Sequence, residues 1–118
     1  MDNRSLATVA RTLMASVFIV LGLYRLLSAW GGVPTPPATL GFSAGELVLG
    51  LLIASGWKLR WTALIAALLM LVDALLSHPF WSLAGAERSA QLLHFMKNIG
   101  LIGGLLLLAA HAGHPPRR

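Results

Sequence analysis

Apolar residues run along this chain in four long blocks, separated by short polar punctuation, with a few charges set toward one end of each block. Apolar runs of this length are what a helix needs to cross lipid. The pattern predicts spans over about 6–30, 43–57, 61–78 and 91–110. The first span would measure about 37 Å at about 1.5 Å per residue, enough to cross with tilt or to protrude. Pro34, Pro36 and Pro37 mark 33–40 as a loop, and Pro79 forbids continuation of the third span. A small polar loop is expected at 84–89, and a disordered tail from His111 onward. The predicted fold class is therefore all-α: one integral membrane four-helix bundle occupying residues 1–118, with no second domain.

Composition sharpens this reading. A chain of 118 residues that is 57% hydrophobic and 11% charged has too few polar groups to cover its apolar surface in water, so the lipid bilayer is its solvent. The net charge of +5 comes from basic residues at the ends of the spans and not from a patch, which argues against nucleic acid. Cysteine is absent, so disulfides, thiolate metal sites and thiol relays within the chain are excluded. Arg4 and Arg11 before an apolar run resemble a signal peptide. Cleavage is not expected, because Arg25 interrupts the run, Leu27 stands where a small residue is wanted, and the bundle needs this span. Arg4, Arg11, Lys58, Arg60, Arg117 and Arg118 fall on one side of a four-span chain and Arg88 on the other, which predicts cytoplasmic termini.

The embedded polar residues are the candidate chemistry. An ionisable side chain below the headgroups costs roughly 2.5 to 3.5 kcal/mol and persists only where it is paired or used. Arg25, Glu46, Asp73, His78, His94, Lys97 and Asn98 all map to the outer half of the predicted bundle, and the two cations and two carboxylates among them balance. Arg11, Ala15, Phe18, Gly22, Arg25 and Ala29 form one helical stripe, and Lys97, Gly100 and Gly104 form another. Small residues on such stripes allow close approach of membrane helices, or self-association into a homo-oligomer. Each charge is thus expected to face a neighbouring helix.

Gly22-Leu23-Tyr24-Arg25-Leu26, Glu46 with the apolar run to Gly56 and Arg60, His78-Pro79-Phe80-Trp81, and the segment from Phe95-Met96-Lys97-Asn98 to Gly103-Gly104 together resemble the DoxX family of small four-span bacterial membrane proteins. The resemblance covers nearly the whole chain, and Arg25 stands where the family pattern has lysine. It implies a helical bundle associated with membrane redox chemistry. One branch of the family is similar to a subunit of thiosulfate:quinone oxidoreductase, and others are associated with oxidant or quinone stress.

Each residue also has a plainer role. Ser43-Ala44-Gly45-Glu46 has the spacing of a capping box, which would place the start of the second helix there. Asp73 is expected to form an ion pair with Arg25 or Lys97. A quinone site would use His94, Lys97 and Asn98 as donors, Phe80, Trp81, Phe95 and Met96 as walls, and Glu46 or Asp73 for protons. Against it, Trp81 reads as an interfacial anchor and Lys97 as a snorkelling cation. His78 and His94 permit haem ligation in principle, but no further signature supports haem, and His111 and His114 are tail composition and not a metal site. No catalytic residue is assigned. The functional expectation is an inner-membrane subunit that binds a quinone or similar lipophilic acceptor near the outer face and receives electrons from a redox partner protein. The alternatives are a non-catalytic anchor or assembly factor and, third, a small-molecule transporter, which the apolar cytoplasmic halves disfavour.

Overall fold

The computed structural model describes residues 2–112. Four helices account for most of them: α1 (Asn3–Trp30), α2 (Pro37–Ser55), α3 (Leu59–Ser77) and α4 (Gly85–Ala112), with a single 3₁₀ turn, Phe80–Ser82, before the last. All four are long and apolar enough to cross a membrane. The all-α, four-span expectation is borne out, and among the described residues there is no strand.

Local chemistry sets the helix ends. Asp2 caps α1 by accepting a 2.7 Å hydrogen bond from the Ser5 amide. That backbone N–H stabilises the anion and holds the Asp2 carboxyl below its ordinary value of 3.8. At the other end, Gly32 takes a left-handed φ of 100°, Gly32 N–H bonds Ala29 O and Val33 N–H bonds Ser28 O. These paired bonds satisfy the last carbonyls, and only glycine adopts that φ without strain.

The second helix starts earlier than the sequence suggests. Pro37 is its first residue, where the missing N–H costs nothing and φ is already helical, and Pro36 is the cap position. The loop expected over 33–40 is therefore shorter, and Ser43 and Glu46 lie within the helix. The capping-box reading is overturned. α4 likewise takes in 85–89 of the expected polar loop: Gly85 turns the chain at φ 65°, and Ala86, Glu87 and Arg88 are sound helix formers, with Glu87 favourably placed in the first turn. At its other end α4 continues through His111 to Ala112, two residues that the sequence assigned to a disordered tail; His114, Arg117 and Arg118 lie outside the described residues. α3 stops two residues before Pro79.

The chain divides into two units, the first ending at Thr62 and the second beginning at Ala63. In the first, α1 and α2 form an antiparallel hairpin. Its contacts pair Gly22 with Ser43 and Leu47, Gly50 with Phe18 and Ile19, and Gly56 with Arg11. A β-carbon on Gly22 would stand 2.7 Å from Ser43 O and 2.9 Å from Leu47 N, so the two backbones touch because this residue has none. The expected stripe on α1 supplies the contact face: Ala15, Phe18 and Gly22 are buried. In the second unit, α3 and α4 are also antiparallel, with Met70 and Asp73 opposite Asn98 and His78 opposite Gln91.

Candidate functional site

The polar residues singled out in the sequence fall into two sets, one in each unit. In the first hairpin, Arg25 Nη1 donates to Glu46 Oε1 at 2.7 Å. The glutamate side chain is 3% exposed and the arginine 41% exposed, so the carboxylate is buried and the guanidinium reaches outward. Arg25 and Gly22 are one turn apart on α1, and Ser43 and Glu46 one turn apart on α2, so the ion pair sits directly beside the closest approach of the two helices. Ser43 is fully buried and its hydroxyl has no hydrogen-bond partner among the described residues.

In the second hairpin, Asp73 is the centre of a network. Its Oδ2 accepts from Asn98 Nδ2 at 2.7 Å and lies 3.4 Å from His78 Nε2. The Asn98 amide also reaches Met70 O at 3.4 Å. The expected pairing of Asp73 with Arg25 or Lys97 is thus replaced by an amide and an imidazole, while Arg25 is engaged by Glu46. His78 Nδ1 is 2.7 Å from Gln91 Oε1. His78 is thus hydrogen-bonded to Gln91 through Nδ1, with its Nε2 edge turned toward the Asp73 carboxylate. His94 is exposed and stacks on His78, with centroids 5.2 Å apart and planes at 25°.

Beside these groups, Phe80, Trp81 and Phe95 meet edge to face, with centroids 5.2 to 5.8 Å apart. Three of the four expected wall residues therefore cluster; Met96 is exposed. Lys97 is also exposed, contrary to the expectation that every embedded charge faces a helix. Helix geometry explains this: Gln91, His94 and Asn98 recur at i, i+3 and i+7 on one face, and Lys97 is about 100° round from Asn98. Gln91 is the member that sequence reasoning missed as a site residue. Its spacing from His94 and Asn98 was the available signal, obscured because it stands at the edge of the apolar block. Among the described residues, no group of three or more metal-ligating side chains converges.

The chain is 26% identical over 113 residues to the inner membrane protein YphA of Escherichia coli (strain K12), an alignment covering 88% of this chain and 81% of the relative. No family model matches, and no solved structure matches. The likeness and the four helices of spanning length bear out the expectation of a multi-pass inner-membrane protein.

Proposed function

We propose that this chain is a DoxX-like membrane subunit of a redox system, whose second hairpin offers a quinone or similar lipophilic acceptor a polar site near the outer face. The observation that carries the reading is the placement of His78: held between Asp73 and Gln91, stacked on an exposed histidine, and adjoining a cluster of three aromatic rings. A quinone needs donors at its carbonyls and apolar surface along its ring and tail, and this arrangement provides both.

In this mechanism His94 Nε2–H or Nδ1–H donates to a carbonyl oxygen, and the aromatic rings flank the tail. Reduction of a quinone to a quinol takes up two electrons and two protons. The electrons come from the redox partner protein. The protons pass through His94 and His78, with Asp73 stabilising the imidazolium and Asn98 fixing the carboxylate. Lys97, at the rim, contributes positive charge without a direct bond.

The test is native mass spectrometry of the full chain released gently from its own membranes. The wild type should retain a quinone-sized adduct. His94→Phe, which keeps a stacking ring and removes the donor, should lower its occupancy about fivefold, the worth of one hydrogen bond of about 1 kcal/mol. Lys97→Met should lower it less. A wild type without adduct would sink the reading and leave an anchor or assembly factor. That second reading draws on the Arg25–Glu46 pair, an ion pair made within the chain beside a glycine contact.

A further inference from the structure

At the end of the first hairpin remote from Arg25, a group of cations is built into the chain, and no part of the quinone reading uses it. Gly56 ends α2 with φ 78° and its N–H on Ile53 O, and the Arg11 guanidinium lies over this turn, with Nη1 3.0 Å from where a Gly56 β-carbon would stand. Arg11 Nε is buried and has no acceptor among the described residues. Two residues on, Lys58 adopts a left-handed φ of 42°, a conformation that lysine takes only at a cost. Its Nζ stands 5.1 Å from the Trp57 ring centroid, and Arg60 lies 6.0 Å from the Trp61 ring. Both tryptophans are more than half exposed.

The carboxylates of this hairpin are engaged elsewhere, Asp2 by Ser5 and Glu46 by Arg25. Three cations therefore lie at one end of one hairpin, and among the described residues none of them forms a salt bridge with a carboxylate. Exposed tryptophans settle at the headgroup level of a bilayer, so Lys58 and Arg60 are held at the depth of lipid phosphates. A guanidinium adds planar paired donors that match phosphate oxygens.

From this geometry we infer that Arg11, Lys58 and Arg60, flanked by Trp57 and Trp61, form a binding site for the phosphate of an anionic phospholipid headgroup. Lys58, with its left-handed backbone, follows Gly56 in the same turn that the Arg11 guanidinium covers. The site holds a lipid specifically at this end and fixes the depth of the α2–α3 turn.

The full chain is reconstituted in nanodiscs of equimolar phosphatidylglycerol and phosphatidylcholine, and the lipids it retains on release are measured by native mass spectrometry. Phosphatidylglycerol should be enriched on the wild type. Each cation near the surface contributes about fivefold, so Lys58→Gln should reduce the enrichment about fivefold and the Arg11→Gln/Lys58→Gln/Arg60→Gln variant should abolish it. Lys58→Gly separates charge from folding, since it relieves the left-handed backbone and should unfold no more readily than wild type while losing the same enrichment. Equal retention of the two lipids by the wild type overturns the inference without reference to any variant. So does enrichment that survives the triple substitution. Displacement of phosphatidylglycerol by millimolar inorganic phosphate would assign the site to a soluble phosphate instead and overturn the lipid as its occupant.

Discussion

Arg25 and Glu46 show how a membrane helix tolerates charge. A carboxylate that is 3% exposed cannot remain ionised without a partner, and the 2.7 Å guanidinium contact supplies one while the arginine keeps part of its surface outside the contact. Breaking a fully buried pair costs about 3 to 5 kcal/mol; because this arginine is 41% exposed, Arg25→Met should cost about 2 kcal/mol. The Arg25→Met/Glu46→Met double variant should recover most of that loss, since it removes the stranded charge along with its partner. Denaturant unfolding in detergent, followed by far-UV circular dichroism, gives both values; a double variant no more stable than the single would mean that the pair does more than neutralise itself. Both residues were legible in the sequence as embedded charges, but their pairing was not. The spacing Ser43-x-x-Glu46 fits a helix start and a helix interior equally well, because i and i+3 share a face in both, and only the helix-initiating Pro37 decides between them.

At the scale of the helices, glycine decides where they touch. Gly22 and Gly50 mark the α1–α2 contact: a β-carbon at Gly50 would lie 2.9 Å from Ile19 N, and one at Gly22 would meet backbone at 2.7 Å. Backbone cannot swing aside as a side-chain tip can, so alanine at either position should cost about 2 kcal/mol. At Gly100 the added methyl meets nothing within 4 Å, and Gly100→Ala should instead gain up to about 1 kcal/mol from helix propensity. The same unfolding assay distinguishes the signs, and a destabilised Gly100→Ala would show that this face is occupied. The α1 stripe was readable because its small and polar residues recur at helical spacing. Helix ends were less so. Hydropathy reports the stretch that crosses lipid, whereas a helix continues for as long as its backbone bonds are satisfied, which carries α4 back through Arg88 to Gly85 and α2 back through Thr39 to Pro37.

For the whole molecule, the arrangement within each hairpin bears on orientation. Arg25 and Glu46 lie toward the α1–α2 connection, and Asp73, His78, Gln91 and Asn98 lie toward the α3–α4 connection. If each helix crosses once, both connections emerge on one side, and Arg4, Arg11, Lys58 and Arg60 lie toward the other. Only Arg88 breaks that asymmetry among the described arginines and lysines flanking the spans. Positive charge is retained on the cytoplasmic side, so the two connections should face outward, and with them the proposed quinone site. The absence of native cysteine makes this directly measurable. A single cysteine at Thr35 or Ser89 should react with a membrane-impermeant maleimide in intact cells, and one at Ser5 should react only after the membrane is opened. The reverse pattern would place Asp73 and His78 toward the cytoplasm, where protons for the acceptor would be drawn from the opposite compartment. It would also place the Arg11–Lys58–Arg60 cluster against the outer leaflet, so one labelling experiment fixes which lipid population and which proton pool the two sites can reach.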